Sequence, residues 1–144
     1  NVIKSELELV GIDATNIDGV NLLELFSVIN ARIELLLDAN HLIGHSFFLN
    51  VRTAEDIGNI IKERIVPLLE EYFFDDVQKI QLIFGDLDEN GDMKQTAIYR
   101  HKELAVDDYF SFVGEYLLED RKQYYISDNI GVDSLKQIYS GVRL

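Results

Sequence analysis

Apolar positions between Asp18 and Asp38 recur at intervals of three and four: Leu22, Leu25, Phe26, Ile29, Ile33, Leu36 and Leu37. That spacing gathers them on one wide stripe, which predicts an amphipathic helix with Asp18 or Asn21 as its N-cap. Ala39–Phe48 breaks the period and reads as a loop carrying two of the three histidines. Thr53, followed three residues later by Asp56, resembles a capping box with Asp in place of the usual Glu or Gln. The helix it opens has Ile57, Ile60, Ile61, Ile65, Leu68 and Tyr72 as its stripe. Pro67 has no N–H to donate and its ring crowds the preceding turn, so a kink is predicted near Glu63 to Val66.

Asp75 reads as the cap of a third helix over Asp76–Phe84, with Gly85 as its terminator. The alternation in Lys79-Ile80-Gln81-Leu82-Ile83 also fits a strand. After Gly85 the pattern changes. Asp86–Asp92 is an acidic turn, and Lys94–Arg100 and Arg121–Ser127 carry apolar and aromatic residues in period two, the mark of short strands. Asp107–Glu119, acidic and aromatic, is a candidate short helix, and Val132–Tyr139 has a short helical stripe. The expected fold class is α+β: a helical bundle over 1–85, then a small antiparallel β unit and a short C-terminal helix over 86–144, packed on the bundle as a single compact domain.

The composition narrows the chemistry. With 47% apolar and 27% charged residues in 144, the chain can bury one well-packed core. Absence of cysteine removes disulfides, thiolate chemistry and Cys-based zinc sites, which fits a cytoplasmic chain. No apolar run reaches the roughly 18 residues of a membrane span, and no basic-then-apolar leader is present. A first residue of Asn1 rather than methionine leads to the expectation that the chain is part of something longer. Thirteen basic against 26 acidic residues give a formal charge of −13. The basic residues are scattered, with Arg100-His101-Lys102 the densest group, so no nucleic-acid surface is expected.

Candidate motifs are few. Asp86, Asp88, Asn90 and Asp92 resemble the first half of a calcium loop, with Gly91 at its sixth position. Its twelfth position is Ala97 rather than a bidentate Glu, and a strand rather than a helix is expected to follow, so a solvated turn is the favoured reading. His41 and His45 are four apart, but Gly44 argues against the continuous helix a metal pair would need, and each histidine is expected to pack or cap locally. No nucleophile elbow occurs. The paired acids Asp75-Asp76 and Asp107-Asp108 suit helix starts. Arg32 lies beside the buried stripe of the first long helix, where a surface ion pair is its simplest role. No Gly-x-x-x-x-Gly-Lys-Ser/Thr stretch occurs, so the chain has no P-loop to cradle a nucleotide triphosphate.

Asn30-Ala31-Arg32-Ile33-Glu34, Leu36-Leu37-Asp38 and His41-Leu42-Ile43-Gly44-His45-Ser46-Phe47-Phe48 resemble the C-terminal region of McrB-like proteins. These are the GTP-driven AAA+ subunits of 5-methylcytosine-specific restriction enzymes. Ile65-Val66-Pro67-Leu68-Leu69-Glu70-Glu71-Tyr72-Phe73-Phe74-Asp75-Asp76, then Gly85-Asp86, is similar to the family's next stretch. The likeness covers about Asn21–Asp86 and is weak beyond. It implies a lid, a helical subdomain that follows the P-loop subdomain, folds over the nucleotide and moves with hydrolysis. It implies that Gly44, His45 and Ser46 lie near the nucleotide or a neighbouring subunit, with Arg32 a second candidate for an inter-element or inter-subunit contact. It further implies GTP and Mg²⁺ for the full-length protein though not for this chain alone, a homo-oligomeric ring, an endonuclease subunit as partner, and no catalysis by the isolated lid. Two other readings compete: a stand-alone protein–protein interaction module with a lid-like fold, and a calcium-regulated module resting on the Asp86 turn.

Overall fold

A computed structural model describes residues 1–143. Among them, seven α-helices and one two-stranded antiparallel sheet make an α+β fold, with five helices before the small β unit, one between its strands and one after it. Helix α1, Val2–Glu8, is capped by the Asn1 side chain and buries Ile3 and Leu7. Helix α2, Leu22–Leu36, starts where Asn21 accepts from the Glu24 amide, and it buries Leu22, Leu25, Val28, Ile29 and Ile33. Asp18 is not its cap: this residue has a positive φ of 54° and its carboxylate accepts from the Ala54 amide at 2.9 Å, at the start of the next helix.

That next helix opens with the predicted capping box, Thr53 and Asp56 each bonding the other's backbone N–H. It continues through α3, Ala54–Ile60, a π-helical turn at Ile61–Ile65, and α4, Val66–Tyr72. Pro67 explains the interruption, since it has no N–H for the carbonyl one turn back. The Val66 amide bonds Ile61 O in the wider five-residue pattern, so the apolar stripe stays inward: Ile57, Ile61, Ile65, Val66 and Leu69 are all buried.

The third helix is shorter than its pattern predicts, and Asp75 does not cap it. Helix α5 runs Lys79–Phe84 because Phe73–Asp76 folds as a turn, with the Asp76 amide on Phe73 O at 2.8 Å. Asp76 does the local work, its carboxylate taking the Gln78 side-chain amide and Lys79 Nζ. The strand alternative for 79–83 is overturned by these helical residues. Gly85 ends α5 at φ 67°, where a side chain would also lie 3.0 Å from Gln137 O.

Strand β1 is Tyr99–Leu104 and pairs antiparallel with β2, Arg121–Ile126, in the register Tyr99 to Ile126 through Leu104 to Arg121. The first strand therefore begins at Tyr99 rather than at the expected Lys94. The amides of Ile98 and Tyr99 are taken by the Asp86 carboxylate and that of Lys94 by Asp86 O, so residues 94–98 have few donors left for a ladder. Between the strands only Val106–Tyr109 is helical (α6), because Phe110 turns extended. Helix α7, Val132–Gln137, closes the described fold.

The core gathers α1, the α2 stripe, the α3–α4 stripe and α5, and receives Ile98, Tyr99, Leu135 and Ile138 from the C-terminal part. Gly58 is helical and buried; a Cβ there would meet Ile130 O at 3.0 Å, so glycine lets the chain before α7 lie against α3. No helix among the described residues is long and apolar enough to cross a membrane.

Candidate functional site

The segment after α2 is built as a presented loop. Two short 3₁₀ turns, Ala39–His41 and His45–Phe48, flank residues 42–44. Ile43 and Phe48 are buried and pin the two ends, while Gly44, His45 and Ser46 between them are exposed. The pin at Ile43 is specific. Asn30, on α2, donates its amide nitrogen to Ile43 O at 3.0 Å and accepts the Ile43 N–H at 2.7 Å, so one side chain satisfies both backbone groups of a buried residue. Phe48 packs edge-on against Phe26 of α2 at 5.8 Å, and the Arg64 guanidinium lies 4.8 Å over the Phe47 ring.

Within this frame the side chains of His45 and Ser46, and their backbone amides, make no hydrogen bond among the described residues, and both residues are exposed. Gly44 has ordinary extended dihedrals of −77° and 151°, and a Cβ there would meet only Ser46 Oγ, at 3.8 Å. The fold therefore has no need of glycine at this position; what glycine provides is a low profile toward anything approaching from outside.

His41 belongs to a different environment. Its Nδ1 lies 2.6 Å from Asp38 Oδ1, and its ring packs edge-on against Tyr72 at 4.8 Å. The hydrogen bond from His41 holds the half-buried Asp38 carboxyl below the usual carboxylate range. The histidines thus occupy separate turns, one engaged with Asp38 and Tyr72 and the other free at the surface.

Arg32 is part of an internal junction rather than a surface ion pair. Its Nη1 donates to Ile83 O at 2.8 Å, placing a cation on the C-terminal turn of α5, where carbonyl dipoles point outward. Burial draws its pKa below the ordinary arginine value. Beside it Gln137, from α7, donates to Phe84 O at 3.1 Å and to Asp86 Oδ1 at 2.8 Å. Asp86, fully buried, accepts from Ile98 N at 2.6 Å and Tyr99 N at 3.0 Å as well. Burial outweighs these hydrogen bonds and raises the Asp86 carboxyl to about pKa 6.

Both Asp86 oxygens are thus turned inward and engaged, while Asp88 Oδ1 accepts from the amides of Asn90 and Asp92 within its own turn. Gly91 at φ 82° completes that turn, and Leu87 and Met93 bridge its base. Asp86, Asp88, Asn90 and Asp92 therefore build a structural turn with Asp86 as its inward anchor. No group of three or more potential metal-ligating His, Asp or Glu side chains occurs among the described residues.

A second, part-buried network has no strong mark in the sequence. Gln81 Nε2 donates to Tyr99 O at 3.0 Å and lies 2.9 Å from His101 Nδ1, and Tyr99 Oη donates to Glu70 at 2.8 Å. Burial, followed by the Glu70 contact, pushes the Tyr99 hydroxyl well above its ordinary value. The one available signal is Gln81 itself, a polar residue between the apolar positions of a short helix.

Residues 21–81 match the family model of the McrB alpha-helical lid domain. The match contains Asn30, Arg32 and the whole loop from Ile43 to Phe48, and it ends inside α5, before the Asp86 turn and the β unit. No curated protein matches the chain.

Proposed function

We propose, from the McrB-type lid domain that residues 21–81 form, that this chain is the lid of a nucleotide-hydrolysing AAA+ subunit in a modification-dependent DNA restriction system. The family match carries the reading. The geometry of the loop supports a role for it: a short polar element, clamped from behind by Asn30 and pinned at Ile43 and Phe48, offers the His45 and Ser46 donors to a second body. That second body is the nucleotide-binding subdomain of the same subunit or of its neighbour in a ring. GTP is the nucleotide the family suggests.

The loop supplies donors for a nucleotide's edge or ribose but no phosphate cradle, since residues 1–144 contain no Gly-x-x-x-x-Gly-Lys-Ser/Thr stretch. Phosphates and Mg²⁺ would be held by the P-loop subdomain, and this chain's part is to position and close. Arg32 acts through α5: by fixing the C-terminal turn of that helix to α2 it keeps the lid one unit during closure. An endonuclease subunit is the expected further partner, and the cytoplasm the expected location.

The test is His45→Ala in the full-length subunit. His45 is exposed and unbonded among the described residues, so the lid should melt unchanged while nucleotide turnover falls by about tenfold or more, the scale of one lost positioned hydrogen bond. Unchanged turnover would remove His45 from the nucleotide site. Gly44→Ala, which the fold accommodates, separates close approach from folding in the same assay.

A further inference from the structure

The connection between β1 and β2, residues 105–120, carries a concentration of exposed apolar surface. Tyr109, Phe110, Phe112, Tyr116, Leu117 and Leu118 are all exposed, with Phe112 at 85% and Leu117 at 98%. Large apolar residues exposed singly are ordinary, but four aromatics and two leucines within ten positions of one loop are not. The loop is also shaped. Asp120 accepts the Val106 amide at 2.7 Å and closes the neck, Phe110 bonds back to Val106 O, and Tyr116 to Val113 O. A shallow cleft of about 410 Å³ opens at its base, lined by Leu104, Val106, Tyr109, Phe110 and Leu118 together with Glu119 and Arg121.

Charge decides what this surface can receive. Between Leu104 and Arg121 the loop has five acidic residues, Asp107, Asp108, Glu115, Glu119 and Asp120, no basic residue, and all five acids are exposed. A second copy would bring acid against acid in a chain whose formal charge is −13. Anionic membrane surfaces and nucleic acid are disfavoured by the same repulsion. An apolar surface with an acidic rim is complementary to an amphipathic segment that is apolar on one face and rich in Lys and Arg on the other.

We propose that the 105–120 tip is a docking site for a basic amphipathic segment of another protein. Aliphatic side chains of that segment enter the cleft above Leu104 and Val106 and cover Phe112 and Leu117, while its cations meet Asp107, Asp108 and Glu115. The site lies outside residues 21–81, so it stands independently of the lid's action on a nucleotide.

The probe is a synthetic amphipathic helical peptide of leucine and lysine, titrated into the isotope-labelled 144-residue chain and followed by amide chemical shifts. An otherwise identical leucine–glutamine peptide is run in parallel. Docking predicts saturable shifts confined to residues 104–121 with the lysine peptide. It also predicts at least a roughly tenfold loss of affinity in Phe112→Ser/Leu117→Ser, in Asp107→Asn/Asp108→Asn/Glu115→Gln, and with the glutamine peptide. Phe112 and Leu117 are exposed, so their replacement leaves the core intact, and unchanged shifts for Ile33 and Phe84 verify that. Four results would overturn the proposal: shifts spread over the acidic surface, equal binding of both peptides, concentration-dependent self-association abolished by the serine variant, or binding of the tip to phosphatidylserine vesicles in place of the peptide.

Discussion

Asn30 and Asp86 show how single polar side chains organise this chain. Asn30 serves both backbone groups of Ile43, so Asn30→Ala leaves a buried N–H and C=O unpaired and should cost roughly 1–3 kcal/mol in urea unfolding. The same variant should raise amide exchange at 42–47 before it affects α2. Asp86 makes a pH-dependent prediction. Its carboxyl is raised from 3.8 to about 6, so the folded chain holds this proton more tightly than the unfolded one. The sign follows: the contribution is most stabilising below about pH 4, falls as pH rises to about 6, and is flat above, a change of about 3 kcal/mol at most. Asp86→Asn abolishes that titration. The stability difference, wild type minus variant, should therefore shrink between pH 4 and about 6. A difference constant with pH would contradict the burial argument.

At the scale of elements, what is legible in the sequence is whatever local chemistry decides. Asn21, the Thr53–Asp56 box, the α2 stripe as far as Ile33 and the disturbance before Pro67 depend on residues within a few positions of each other, and all are found, whereas Leu37 falls past the end of the helix and is exposed. The misread boundaries depend on distant partners. The first strand starts late because Asp86, a dozen residues upstream, captures the amides that a ladder would use. Asp18 has the chemistry of a cap for α2, yet it reaches Ala54 instead, a contact 36 residues away. The loop carrying Gly44, His45 and Ser46 is visible in the sequence only through its likeness to a family, because nothing in its own pattern reveals the Asn30 clamp. Gly58 shows the converse, a helical glycine whose reason lies in the approach of Ile130. Gly58→Ala gains helix propensity but sets a Cβ 3.0 Å from Ile130 O, so the net effect predicted is a loss of about 1–2 kcal/mol by thermal or urea unfolding.

At the scale of the molecule, the helical part and the C-terminal part meet at several places, among them the packing of Ile130 on Gly58, the Gln81–Tyr99–Glu70 contacts and the end of α5. Arg32 from α2, the end of α5, Asp86, and Gln137 from α7 share a continuous set of hydrogen bonds, and Tyr139 Oη accepts the Asn21 amide at the start of α2. The Gly44–Ser46 loop lies within residues 21–81 and the 105–120 tip outside them, so a nucleotide acting on the loop leaves the tip as it is. The most direct measurement is amide hydrogen exchange on the full-length subunit with and without a non-hydrolysable GTP analogue. The amides of His45 and Ser46 are unbonded within the described residues and should exchange rapidly until the nucleotide site closes on them. Protection at residues 44–47 on adding the analogue, with residues 105–120 unchanged, is the predicted result; exchange at 44–47 that ignores the nucleotide, in a subunit shown to bind it, would contradict the lid reading.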